Sequence, residues 1–180
     1  MNATKKLVIT AMCAALCVVL PFAFHFIPGS GRAFSPMHIP VLLCGIVCGW
    51  QNGMICGFVG PMLAYMVTGM PQGPTLIAMM VELPVYGVAS GALMALVRTN
   101  KIVADLYISM IIAMLVGRIL AGLASAYIIS SEGLTFAAWF SAYFGSALPG
   151  IITHLIVVPL LYLALEKARL IPARYPKKSA

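Results

Sequence analysis

The stretch TLIAMMVELPVYGVASGALMAL, Thr75–Leu96, decides the fold. A helix that crosses the hydrocarbon of a bilayer needs about 20 consecutive, mostly apolar residues. This segment supplies them, with Glu82 as its one charged side chain. Segments of the same character lie on either side, at Leu7–Ile27, Ile102–Ile129 and Trp139–Leu165, and two shorter ones at His38–Trp50 and Gly53–Thr68. The whole chain is 62% hydrophobic and 8% charged, against roughly a quarter charged in a soluble domain. Too little polar surface is available to cover a soluble core, and too much apolar surface is present for a disordered chain. At about 30 residues per span with its connection, 180 residues make six spans and leave no room for a soluble domain. The sequence therefore predicts an all-α integral membrane protein, a six-transmembrane-helix bundle in one domain over residues 1–168 followed by a basic tail at 169–180.

Eleven basic residues set its orientation. Lys5, Lys6, Arg98, Lys101, Lys167, Arg169, Arg174, Lys177 and Lys178 flank apolar segments and fall on one side if both termini are cytoplasmic. Arg32 falls on the other side, and Arg118 is left inside a span. This is the positive-inside pattern, and it predicts cytoplasmic N and C termini. It also turns the net charge of +7 away from nucleic acid. Leu7–Ile27 is longer than the 7–15 apolar residues of a signal peptide and is read as a retained helix. Ile171–Ala180, with two prolines among its basic residues, reads as a solvated tail near anionic headgroups.

Small residues mark the packing. Gly45, Gly49, Gly53 and Gly57 recur every four residues and Gly87/Gly91 repeat the spacing, which lets helix backbones approach closely in lipid. Gly49–Gly53 is also expected to form the tight turn between spans two and three. Ala11 and Ala15 make a second small face on the first span, and spacing leaves internal packing and reception of another subunit's helix both open. Cys13, Cys17, Cys44, Cys48 and Cys56 all lie within spans. Neither pair at four-residue spacing has a His or carboxylate beside it in sequence, so they are read as small apolar residues and no metal is assigned.

Ionisable groups inside a membrane are costly and need a partner or a task. Three stand out. From the helical rise, Glu82 lies about 10 Å from the outer end of its span, Arg118 about 16 Å and His154 about 22 Å, or less if the sixth span starts nearer Gly145. They predict a pocket open to the outside, in which Arg118 donates to a carboxylate or carbonyl and Glu82 accepts from a hydroxyl or amine. A buried Glu82–Arg118 pair is compatible with that reading, and a histidine such as His154, taken alone, more often makes a helix–helix hydrogen bond than a ligand contact. Tyr86, one turn after Glu82, shares its face and adds a ring and a hydroxyl. The connections Pro28–His38 and Gly69–Pro74 are apolar and rich in Pro and Gly, suited to lids over such a pocket or to tight turns.

The chain resembles the S components, the substrate-binding membrane subunits of energy-coupling factor (ECF) vitamin transporters. The likeness rests on six hydrophobic segments in about 180 residues. It rests further on Ala11-Met12-Cys13-Ala14-Ala15, the stretch Pro36–Gly45 (PMHIPVLLCG), and Glu82-Leu83-Pro84-Val85-Tyr86-Gly87 followed by Gly117-Arg118. The resemblance implies high-affinity binding of a water-soluble vitamin or related micronutrient near the outer face. It implies docking on a membrane coupling subunit driven by two cytoplasmic ATPases, followed by bodily reorientation in the cell membrane. It assigns Ala11 and Ala15 to the coupling subunit, and places Glu82, Tyr86, Arg118 and His154 around the substrate with His38 and Gln72 from the connections. No cofactor is implied.

Other functions are weighed against this one. The chain has no phosphate-binding loop and so borrows its energy if it pumps. It shows no two similar halves of the kind a self-contained carrier is built from, although a stand-alone carrier or channel is the second reading. A third is an intramembrane serine protease using Ser90 and His154, but Val88 stands where such a site needs glycine. Arg118 hints at an acidic or carbonyl-rich substrate such as pantothenate, with pyridoxine-like and thiamin-precursor ligands open.

Overall fold

Helix α1 spans Ala3–Phe24, α2 His38–Cys48, α3 Trp50–Thr68, α4 Pro74–Leu96, α5 Ile102–Ile128 and α6 Leu148–Lys167. They are seen in a computed structural model that describes residues 1–24, 34–128, 141, 145 and 147–175. No strand occurs among the described residues. Four helices, α1, α4, α5 and α6, are long and apolar enough to cross a membrane. The expected ends at Ile27, Ile129 and Trp139, and the stretch Pro28–Ala33, lie outside the described residues.

The shortest helix is the most enclosed. Every residue of α2 except Val47 is buried, which explains its uninterrupted apolar sequence, since a helix that is apolar all round belongs inside other helices. Contacts with α1 run Cys17–Met37, Thr10–Cys44 and Lys6–Cys48, so the two helices are antiparallel. Thr10 Oγ1 donates to the Lys6 carbonyl (2.8 Å) and accepts from Asn52 Nδ2 (2.9 Å), tying α1 to the start of α3. The turn expected across Gly49–Gly53 is tighter than that. Only Gly49 leaves the helix, at φ +96°, a conformation open to glycine because it lacks a Cβ. Gln51, Asn52 and Gly53 already belong to the first turn of α3.

The expected glycine packing is present. A Cβ on Gly87 of α4 would run into the Gly53 carbonyl of α3, and one on Gly57 would reach the Leu83 backbone at 2.5 Å. Gly45 of α2 meets the Gly87 carbonyl in the same way. The backbones of α2, α3 and α4 are therefore in direct contact, with α3 antiparallel to α4. Helix α5 continues the layer against α4, and α6 packs beside α2 and α5. All five cysteines are buried on α1, α2 and α3 as free thiols.

Ala11 and Ala15 are exposed, on the same side of α1 as Leu7, Met12 and Phe22. Internal packing falls instead to Cys13, Ala14 and Cys17. Of the two uses that spacing leaves open for this small face, packing within the chain is excluded in the described structure.

The tail also departs from expectation, because Ile171–Tyr175 is docked rather than solvated. Ile171 is buried. Asp105, in the first turn of α5, accepts from the Thr99 N–H (2.8 Å) and Thr99 hydroxyl (2.7 Å) through Oδ1. Its Oδ2 accepts from Arg174 Nε (2.8 Å) and the Tyr175 hydroxyl (2.6 Å), while Arg174 Nη2 donates to the Val97 carbonyl. A tail rich in Pro and Arg is thus held by one carboxylate that offers acceptors to four donors. Nearby, a cleft lined by Met1, Asn2, Lys5, Glu166 and Arg169 brings the two ends of the chain to the same end of the bundle.

Asp105→Asn and Arg174→Ala should each lower stability by about 1–2 kcal/mol, since the pair sits at the rim of the fold but is shielded from water. Thermal unfolding in detergent measures this, and the double variant should lose less than the sum of the two.

Candidate functional site

At the end of the bundle opposite the chain termini, four helices and one turn bring polar side chains together. His38 opens α2, Glu82 and Tyr86 stand one turn apart on α4, Arg118 follows Gly117 on α5, and His154 lies on α6. All are buried, with Glu82 8% and His154 0% exposed. Because α6 begins at Leu148, His154 lies only about 9 Å into its helix, a depth similar to that of Glu82.

Glu82 is the anchor. Its Oε1 accepts from the Tyr86 hydroxyl at 2.8 Å, the geometry expected of groups four residues apart on a helix. The same oxygen faces His38 Nε2 at 3.5 Å. The charge of Arg118 bears on both Glu82 and Tyr86. Gly117 makes this possible, since a Cβ there would collide with the Tyr86 ring. Glu82 thus has its direct contacts with Tyr86 and His38 and also feels the charge of Arg118.

The second hub is a backbone atom. Ser35, just before α2, is held at φ +43°, a sparsely populated conformation for a residue with a side chain. Its carbonyl accepts from His38 Nδ1 and from His154 Nε2, each at 3.1 Å. The two imidazoles lie 5.5 Å apart with planes 18° from parallel, and the His38 ring meets the Tyr86 ring edge-on at 5.1 Å. One carbonyl thus links α6 to the turn that leads into α2.

Two further residues do not join this group. Gln72 is exposed in the connection between α3 and α4, and no contact ties it to the buried residues of the cluster among the described interactions. Ser90 is fully buried and donates to the Gly87 carbonyl (3.3 Å), packed against Gly45 of α2. His154 bonds to Ser35 instead, so the Ser90–His154 dyad of a serine protease is not formed. Residue-by-residue reading missed Ser35, whose part is played by its backbone, and Asp105, the sole aspartate of the chain. No group of three or more His, Cys, Asp or Glu is arranged to hold a metal among the described residues.

The family model described as ECF transporter, substrate-specific component, matches residues 5–162. The chain belongs to this family. No curated protein and no solved structure matches it significantly. As a substrate-specific component, it is a multi-pass membrane protein that serves transport as a substrate-binding subunit. The matched region takes in α1 from Lys5, all of α2 to α5, and α6 as far as Tyr162, and so every residue of the cluster.

Gly117→Ala tests the construction of the cluster. The added methyl should push the Tyr86 ring off Glu82 and destabilise the protein by about 1–3 kcal/mol. Thermal unfolding should show the loss, whereas Ala15→Gly on the exposed face of α1 should cost less.

Proposed function

We propose that this substrate-specific component binds a water-soluble vitamin or related micronutrient at the cluster of His38, Glu82, Tyr86, Arg118 and His154 and delivers it to an ATP-driven importer. In this reading six segments traverse the cell membrane with both termini cytoplasmic. The single observation that carries it is the separation of polar groups. Lys5, Lys6, Lys167 and Arg174 occupy the end that holds both termini, and the five buried side chains of the cluster gather toward the other. Positive-inside placement puts the first end in the cytoplasm and leaves the cluster facing outward, where an imported solute arrives. Helix α2, about 16 Å long, is too short to cross unaided. Its burial shelters it from lipid, and the turn at Ser35 extends it toward the outer face.

The exposed face of Ala11 and Ala15 supports the assignment of α1 to the membrane coupling subunit, because small residues admit a partner helix to close range. Two cytoplasmic ATPases then act through that subunit. The chain has no phosphate-binding loop of its own, which is consistent with energy supplied in trans. Gln72, exposed beside the start of α4, is assigned to the outer rim and meets substrate only if its connection closes.

Reconstitution tests the whole. Purified chain alone in proteoliposomes should bind but not transport, and uptake should need the coupling subunit, both ATPases and ATP. Transport by the chain alone would establish the stand-alone carrier instead. Ala11→Leu and Ala15→Leu should spare binding and abolish uptake, whereas Arg118→Ala and Glu82→Gln should weaken binding by about 2–5 kcal/mol, the cost of unpairing a buried charge.

A further inference from the structure

The hydrogen-bond pattern of the cluster restricts what it can recognise. This step rests on the reading above, in which the cluster is the substrate site. A carbonyl oxygen only accepts, so each ring nitrogen that faces Ser35 O carries a proton: Nδ1 of His38 and Nε2 of His154. Neutral His154 is then left with a bare lone pair on Nδ1. That atom is fully enclosed and has no hydrogen-bond partner among the described residues, on a side chain that is 0% exposed.

His38 Nε2 faces a Glu82 carboxylate oxygen 3.5 Å away, and a proton on that nitrogen makes the two an ion pair. It does nothing for His154 Nδ1, which stays unfilled. Buried acceptors without donors are costly, and a ligand that brings donors removes the cost. The charge of Arg118 already acts on Glu82, so it is not a lone cation that calls for a carboxylate.

We infer that the recognised edge of the substrate carries N–H or O–H donors, as in an uncharged or weakly basic amino- or hydroxyl-bearing heterocycle, and that His154 Nδ1 accepts one of them. The inference reverses the hint of an acidic substrate that Arg118 gives by itself. His154 becomes a specificity residue, reading a donor, while its other nitrogen holds the turn at Ser35.

The full chain, purified in detergent, tests this in two ways. The compound that co-purifies with wild-type protein is identified by mass spectrometry. Pyridoxine and 4-amino-5-hydroxymethyl-2-methylpyrimidine, as donor-bearing heterocycles, are compared with nicotinate and pantothenate, as carboxylates, by thermal shift. A donor-bearing neutral or weakly basic compound should co-purify or stabilise the protein. Its affinity should fall at least tenfold in His154→Leu and stay within about threefold of wild type in His154→Asn, which keeps an acceptor near the place of Nδ1. A carboxylate ligand that depends on Arg118 and is indifferent to His154→Leu would overturn this inference and leave the binding-subunit reading standing. If nothing co-purifies and none of the four compounds shifts the melting temperature, both fall. Should the His154 variants fail to fold, the chemistry of the co-purified compound decides alone.

Discussion

The contact between backbones at Gly53 and Gly87 is the constraint from which the rest of the structure follows. Lipid removes most of the hydrophobic drive for helices to associate, and close van der Waals packing has to replace it. At this crossing no side chain fits between α3 and α4, and the Gly45 backbone of α2 meets the same turn of α4. The short, enclosed α2 is thereby fixed in depth against α4. That depth sets His38, at the first position of α2, opposite Tyr86, next to Gly87 on α4, and Glu82, a turn earlier. A larger residue at any of these glycines would separate the helices and the site together.

Once the helices are fixed, the polar groups have few remaining choices. Glu82 lies where a lone carboxylate would be very unfavourable, and it is surrounded by the Tyr86 hydroxyl, the His38 ring and the charge of Arg118. The strain at Ser35 has a place in the same arrangement. Its positive φ accompanies a carbonyl that serves two imidazoles at once, joining α6 to the entrance of α2. Unusual backbone conformations persist where their surroundings over-determine them, and such places are often functional. Here the surroundings are two buried rings that would each lose their acceptor if Ser35 relaxed.

Much of this was legible in the sequence, and the parts that were not share a cause. Helix α4 and the start of α5 fall within a residue of expectation because Pro74 and the Val97–Lys101 connection are strong local signals. Glu82 and Arg118 were conspicuous because charge is so scarce between the flanking basic groups. Gly49 misled, since five turn-forming residues in a row suggested a longer turn than the single residue that makes it. Once Gly49 had reversed the chain, Asn52 found a partner in Thr10 of α1 and joined α3. The tail misled in the same way. Nothing local to Ile171–Tyr175 announces a docked segment, because its partner Asp105 lies about 70 positions earlier. Contacts of that separation, like the shared Ser35 carbonyl, are properties of the assembled bundle and have no local periodicity to reveal them.

The two ends of the molecule are built on opposite principles. At the basic end, the carboxylate of Asp105 is saturated by four donors from the α4–α5 connection and the tail. That end is closed, and the docked tail ties the end of α6 to the start of α5. At the other end, the ring of His154 keeps a buried nitrogen with no hydrogen-bond partner among the described residues. A bundle cross-linked below and incompletely satisfied above has its adaptable part where a solute would enter. Ligand binding can then complete the upper hydrogen bonds without reorganising the lower ones, so that the helices respond as one body to a partner on the exposed face of α1.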